Sequence, residues 1–336
     1  MTQASVWILA DDRPGNNNQA LGVAEALGQP FRRLDITYGA AVKLPNFLRV
    51  IGPSGITAES MAQLEAAWKE APPRVVIAAG RRLAPLLRRL KKRNPSLVAV
   101  QLMRPNLPAS DFDLVVLPAH DGEDTSDSRY LITEGSPHRL TGESLHQARE
   151  TWRPNFGSLP APLVALLVGG DSKHGQFTEA HYRFLGQWSR ELAGSGSLLA
   201  TTSRRTGQTG EALLREAVTS HPHHFFHGWQ QTGENPYAGM LAWAQAIIVT
   251  GDSMSMCTEA CATGVPVFIY APEGSVSAKH RRLHEGLVAK GHARMLTDAT
   301  SPSLGGLTTP LANPAEKIAA HIRHLLEARP TGQTNR

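Results

Sequence analysis

Short runs of aliphatic and β-branched residues alternate with stretches of helical periodicity along nearly the whole chain. In the first half the runs fall at residues 6–10, 31–36, 75–79, 97–102 and 114–117. Between them, residues 19–27, 60–69 and 81–93 repeat apolar positions at three- and four-residue spacing, which predicts helices. Such alternation implies a mainly parallel sheet. From about Tyr130 to Pro162 the pattern loosens into polar and turn-forming residues, including Gly135-Ser-Pro-His138 and Trp152-Arg-Pro-Asn-Phe-Gly-Ser-Leu-Pro160. A domain boundary belongs there.

The alternation then resumes, with strands at 163–168, 198–202, 224–227, 246–250 and 265–270 and helices at 178–192, 210–218, 236–244 and 255–262. A last helix is expected at 314–326. The predicted architecture is α/β, with two Rossmann-like domains whose mainly parallel sheets face a cleft. Residues 1–150 would form the acceptor domain, 151–330 the nucleotide-sugar domain, and 331–336 a disordered tail. Ligands of open α/β sheets sit outside the carboxyl ends of the strands, so chemistry is expected in the strand-to-helix loops.

Composition narrows this picture. Hydrophobic residues make up 41% and charged residues 19% of the 336, enough apolar mass for two cores. The apolar run at 163–168 is far shorter than the roughly 20 residues of a membrane span. No secretory signal precedes residues 6–10, so a soluble, cytoplasmic protein is expected. Cys257 and Cys261 lie four apart in a predicted helix and read as packed thiols.

The net charge of +5 and pI of about 9.4 suit anionic ligands. Much of the excess lies at 81–93, where Leu83, Leu86, Leu87 and Leu90 share one helical face and basic residues occupy the other. That basic side reads as a solvated face, or alternatively as a peripheral contact with an anionic membrane surface at the inner face of the cytoplasmic membrane. Nucleic acid is not expected, because no aromatic-rich stripe or nucleic-acid motif accompanies the charge. The histidines at 221, 223, 224 and 227 lack a Cys or HExxH partner, so neither a metal nor another cofactor is expected.

Four loops carry candidate chemistry. In the segment 247–270, Gly251 allows a tight turn, Ser253, Met254 and Ser255 open a helix whose N-terminus attracts phosphate, and Glu259 lies one turn on, within reach of a ribose diol. In Val168-Gly-Gly-Asp-Ser-Lys-His-Gly175, Gly169 and Gly170 allow a ligand close to the backbone, and Ser172 and Lys173 suit a phosphate. In Thr201-Thr-Ser-Arg-Arg-Thr-Gly207, Ser203 accompanies Arg204 and Arg205, whose guanidinium groups can fork onto phosphate oxygens. The fourth loop follows the first strand. There Asp11 and Asp12 are candidate general bases, and Arg13, Asn16, Asn17, Asn18 and Gln19 are candidate acceptor-binding groups. His120-Asp121 and Gly135-Ser-Pro-His138 are lesser candidates.

Taken together, Ala10-Asp-Asp-Arg-Pro-Gly-Asn-Asn-Asn-Gln19, Gly135-Ser-Pro-His-Arg139, Gly169-Gly-Asp171, Thr202-Ser-Arg-Arg-Thr206 and Thr250-Gly-Asp-Ser-Met-Ser-Met256 resemble bacterial members of the family named after the plant elongated-mitochondria fission protein. The likeness runs over nearly the whole chain. More distantly, the second half resembles the donor domain of GT-B glycosyltransferases, including the GlcNAc transferase that builds the lipid-linked peptidoglycan precursor. That resemblance implies that Gly169, Gly170, Ser253, Ser255 and Glu259 hold the nucleotide. It also implies that Arg204 neutralises a diphosphate leaving group without a metal.

The sequence departs from that pattern at Asp252 and Met254, inside one turn, and at Asp171, beside another, which sets carboxylates near a phosphate. The implied function is a metal-independent glycosyltransferase with a nucleotide-sugar donor and an unknown, lipid-linked or cell-envelope acceptor. The alternatives are a nucleotide-sugar epimerase on the same scaffold and a non-catalytic interaction protein.

Overall fold

The computed structural model describes residues 5–39, 55–122, 126–172, 175–297, 299–305 and 308–329. Residues 331–336, expected as a tail, lie outside the described residues. By its internal contacts the chain forms two units, one of Met1–Arg139 with Asn313–Arg336 and one of Leu140–Ala312.

The first unit runs β1 (Val6–Ala10), α1 (Pro14–Leu27), β2 (Phe31–Asp35), α2 (Ala58–Glu70), β3 (Val75–Ala79), α3 (Ala84–Arg93), β4 (Val98–Leu102), β5 (Leu114–Pro118) and β6 (Tyr130–Thr133). All six strands are parallel, in the order β2-β1-β3-β4-β5-β6. Because strand residues alternate faces, Val6 and Ile8 join one core while Trp7 and Leu9 join the other. Helices cover both faces, which is why β1, β3, β4 and β5 are apolar without interruption except at Gln101.

The second unit runs α4 (Gly142–Thr151), α5 (Arg153–Phe156), β7 (Leu163–Leu167), α6 (Glu179–Ala193), β8 (Ser197–Thr201), α7 (Gly207–Thr219), β9 (His224–His227) and α8 (Tyr237–Trp243). It continues with β10 (Ala246–Thr250), α9 (Met254–Ala262), β11 (Val267–Tyr270), α10 (Ala278–Ala289) and β12 (Arg294–Leu296). Its six strands are again parallel, in the order β12-β11-β10-β7-β8-β9.

The strands expected from the hydrophobic pattern all form, with ends shifted by one or two residues. The domain limits differ from the expected 1–150 and 151–330. The last helix, α11 (Pro314–Glu327), packs Ala315, Ile318, Ala319 and Ile322 into the core beneath α1, so it belongs to the first unit. Sequence order had placed it with the second, but the apolar stripe finds its partner across about the whole length of the chain. Replacing Ile318 by alanine should therefore destabilise the first unit by about 2–5 kcal/mol through the cavity it leaves. Hydrogen exchange should report faster opening at β1, β3 and β4, with β7 and β10 unchanged.

Several elements escaped the pattern. α1 begins at Pro14, a residue suited to the first helical position, so residues expected in a loop form helical turns instead. β6 is a four-residue edge strand paired only with β5. α10 buries only Leu283, His284 and Leu287. On α3 the leucine face is buried as expected, while Arg88 pairs with Asp111, Lys91 with Asp113, and Arg93 with Glu65 and the face of Trp68. These intramolecular pairs use part of the basic surface that would otherwise meet an anionic membrane. Among the described residues no helix is long and apolar enough to cross a membrane.

Candidate functional site

In the second sheet the chain adds β8 and β9 on one side of β7, then returns to build β10, β11 and β12 on the other. The carboxyl ends of β7 and β10 therefore flank a topological switch point, where neighbouring loops leave in opposite directions. Gly169 and Gly170 follow β7, Ser203, Arg204 and Arg205 follow β8, and Gly251 and Asp252 follow β10.

These loops hold one another. The Gly169 N–H donates to Thr250 Oγ1 at 2.7 Å, the Gly170 N–H to Asp252 Oδ2 at 3.1 Å, and the Asp171 N–H to the Arg205 carbonyl at 2.9 Å. The Gly169 carbonyl accepts from Ser203 Oγ at 2.5 Å and Thr206 Oγ1 at 2.7 Å. A side chain at Gly169 would run into the Asp252 carboxylate, and one at Gly170, whose φ is +126°, into the Arg205 carbonyl. The space left by these glycines is thus filled by the protein itself, and their N–H groups are already used. This corrects the expectation that they present backbone to a ligand.

The two carboxylates that departed from the GT-B pattern are turned inward. Asp252 is fully buried, pairs with Arg205 Nη1 at 2.5 Å, and leaves Oδ1 without a hydrogen bond. Burial raises its pKa above the usual carboxylate range, with Arg205 opposing the shift. Asp171 Oδ1 accepts the Phe177 N–H at 2.8 Å.

Ser253 caps α9, its hydroxyl accepting the Met256 N–H at 3.4 Å. The N–H groups of Met254 and Ser255 precede the helical ladder and remain as first-turn donors. Behind the Gly251 turn lies His284, whose Nε2 meets the Gly251 carbonyl at 3.0 Å; burial lowers its pKa to about 4, so the neutral ring donates. Glu259 Oε2 accepts the Tyr237 hydroxyl at 2.5 Å, and burial raises the pKa of both groups. One Glu259 oxygen is therefore already bonded within the protein rather than kept for a ribose. Ser172 forms a backbone bridge to Gly175, and Lys173 lies outside the described residues.

Arg204 is exposed, with no ion pair among the described residues. Sequence reading passed over two features at this edge of the sheet. Trp229, just past β9, is 53% exposed although its N–H is fixed to Thr202 Oγ1 at 2.9 Å and Glu211 Oε2 at 3.2 Å. The loop after β11 reaches the loop after β7, because a side chain on Gly175 would strike the Gly274 carbonyl. Position directly after a strand was a signal available for both.

The first unit carries the Asp/Asn constellation, also at a switch point, between β1 and β3. Asp11 and Asp12 part company there. Asp11 is buried, accepts the Arg13 N–H on Oδ1 at 3.0 Å, and has no partner for Oδ2. Burial raises its pKa, and the Arg13 N–H and nearby Arg13 and Arg82 charges only partly offset the shift. The Asp12 side chain is 73% exposed and pairs with Arg82 at 2.7 Å. Arg13 precedes α1 and is exposed.

Asn17 is structural. Its amide bonds both the N–H and the carbonyl of Asp11, at 3.0 and 2.7 Å. Asn16 reaches the Ala79 carbonyl at 3.5 Å, Asn18 is exposed, and Gln19 is buried along α1. Tyr38, whose hydroxyl donates to the Arg82 carbonyl at 3.0 Å, and Gln101, whose buried Oε1 has no partner, complete the neighbourhood.

Two six-stranded parallel sheets flanked by helices, with loops gathered at the switch points, define a GT-B fold. The chain covers 96% of its own length and 99% of a UDP-GlcNAc 2-epimerase from Methanocaldococcus jannaschii at TM-score 0.58 and 14% identity. For the ADP-heptose lipopolysaccharide heptosyltransferase II of E. coli the values are 96%, 99%, 0.50 and 10%.

The chain belongs to the mitochondrial fission ELM1 family, which it matches over residues 14–326. An uncharacterized protein of Rickettsia prowazekii (strain Madrid E) is 29% identical, covering 96% of this chain and 99% of that protein. Mitochondrial fission protein ELM1 of Arabidopsis thaliana is 28% identical over 76% of this chain and 65% of that protein.

Proposed function

We propose that the protein is a metal-independent glycosyltransferase that takes a nucleotide sugar at the carboxyl edge of the second sheet, with Asp11 as the candidate general base toward an acceptor hydroxyl. The observation that carries this reading is how the switch-point loops divide their groups. Asp252, Gly169, Gly170 and Ser203 bind the loops together, whereas Arg204, the Met254 and Ser255 amides and Trp229 are left for a ligand. A guanidinium and helix N-terminal donors suit a diphosphate, and an exposed indole on a fixed backbone suits the flat face of a base.

In the transfer, the acceptor oxygen bonds to the anomeric carbon and the bond from that carbon to the diphosphate oxygen breaks. The acceptor proton passes to Asp11, whose buried Oδ2 has no hydrogen-bond partner among the described residues. Arg204 and the positive end of α9 offset the charge on the departing diphosphate, which makes a metal unnecessary. UDP-GlcNAc and ADP-heptose, named for the structural neighbours, indicate the donor class to try first.

Calorimetric titration with UDP-, GDP-, CMP- and ADP-linked sugars tests the reading. One donor is expected to bind with a dissociation constant on the order of 1 μM to 1 mM, the usual range for enzyme substrates. Binding by none of them would overturn the proposal in favour of a scaffold retained for protein interaction. Conversion of the bound donor to an epimer without any acceptor would replace transfer by epimerisation.

A further inference from the structure

Arg204 and Arg205 are adjacent, yet the structure treats them differently. Arg204 is exposed, whereas Arg205 is held at both backbone groups and at its side chain. Its N–H donates to Ser203 Oγ at 3.1 Å, its carbonyl accepts the Asp171 N–H at 2.9 Å, and its Nη1 meets Asp252 Oδ2 at 2.5 Å. The Asp252 side chain is 0% exposed and that of Arg205 is 35% exposed, so the guanidinium runs from a buried carboxylate out to the surface. A guanidinium has five N–H donors in one plane, and a carboxylate on one edge leaves the others available.

Resting on the proposed nucleotide site, we infer that Asp252 is a positioning residue, holding Arg205 with the outer edge of its guanidinium turned to the diphosphate of the nucleotide sugar. The carboxylate that departs from the GT-B pattern then aims a cation at the phosphates. The free Arg204 serves as the second, mobile cation. Holding Arg205 in place before the ligand arrives removes the entropy cost of ordering a long side chain on binding.

The groups facing Asp252 come from several elements. Arg205 lies in the loop after β8, Tyr182 on α6 and Cys257 on α9, while Asp171, in the loop after β7, shares Tyr182 as a neighbour and His284, on α10, bonds the adjacent Gly251 carbonyl. Burial keeps the Tyr182 hydroxyl and the Cys257 thiol protonated, and His284 neutral down to about pH 4. Acidification protonates Asp252 and loosens its hold on Arg205. An Asp252→Asn variant isolates this effect from the titration of the ligand itself.

The experiment titrates UDP, GDP, ADP and CDP into the full chain by calorimetry and carries the tightest binder forward. Asp252→Asn and Arg205→Lys are each expected to weaken it about tenfold, and the double variant to be no weaker than the worse single one, as for two coupled residues. As pH falls through the raised value of Asp252, the wild type should lose its advantage and converge on the Asp252→Asn variant, as expected when one carboxylate carries the coupling.

Unchanged affinity in the single variants, or losses that simply add, would overturn the inference while leaving the nucleotide site standing. A lower melting temperature without an affinity change would mark the pair as structural and overturn it too. Should Asp252→Asn fail to fold, Arg205→Lys, on the partly exposed partner, reads the same coupling through its pH profile. No binding of any of the four nucleotides by the wild type would overturn the site and the inference together.

Discussion

Asp11→Asn is expected to lower sugar transfer by roughly 10²- to 10⁴-fold, the usual contribution of a positioned general base, without loss of donor binding. The replacement is nearly isosteric. Asn can still accept the Arg13 N–H through its Oδ1, and the Asn17 contacts go to the backbone of residue 11. Folding should therefore survive.

The pH dependence follows from the raised pKa of Asp11. A base must be ionised, so activity should climb as pH rises through that raised value, with an ascending limb above the ordinary carboxylate range. For stability the sign is opposite, because the folded state holds the proton more tightly than the unfolded chain. The wild type loses stability as pH rises from the ordinary carboxyl value through the raised one, and the Asn variant lacks that loss. A higher melting temperature for Asp11→Asn at neutral pH, together with unchanged donor binding, would agree with a base held ready in a buried site. Full activity in this variant would remove Asp11 from the chemistry. Asp12→Asn, at an exposed partner of Arg82, is the matched comparison and is expected to change transfer far less.

The second large effect is on stability. Gly170→Ala should destabilise the second unit by about 2–6 kcal/mol, combining backbone strain of about 1–3 kcal/mol with an overpacking cost of similar size. The φ of +126° is one that L side chains rarely adopt, and the added Cβ would meet the Arg205 carbonyl and lie 2.6 Å from the Thr206 nitrogen. Both neighbours are backbone, so no side-chain rotation relieves the clash. A fall in melting temperature of roughly 10 °C is expected for a unit of this size.

Gly207→Ala provides the contrast. That residue has φ +71° but no atom within 4 Å of the would-be Cβ, so it should cost only about 1 kcal/mol of conformational strain. Equal losses at the two positions would mean that the close approach of the loops after β7 and β8 contributes nothing.

Local pattern alone was enough for the framework. Short apolar runs such as Val75–Ala79 and residues 246–249, rich in β-branched residues, read as strands buried on both faces, and the helices between them make the sheets parallel. The loops after β1, β7, β8 and β10 were visible as candidates for the same reason: small and polar residues directly follow apolar runs. Such features depend on neighbours a few residues away, and periodicity reports them directly.

Tertiary structure decided what depends on distant meetings. It joined α11 to the first unit through Ile318 and Ile322, because an amphipathic stripe does not name its partner. It drew Asn17 into the support of Asp11 and separated Asp11 from Asp12, since burial, which raises the pKa of one and leaves the other at the surface, is a property of packing. Asp252 lies 82 residues beyond Gly170 and 47 beyond Arg205, yet it bonds both. By itself the sequence determined that glycines, serines, arginines and carboxylates follow the strands of two parallel sheets. Only the folded chain decided which of them hold the loops together and which stay at the surface, because hydrogen bonds and ion pairs form between groups brought close in space, whatever their separation along the chain.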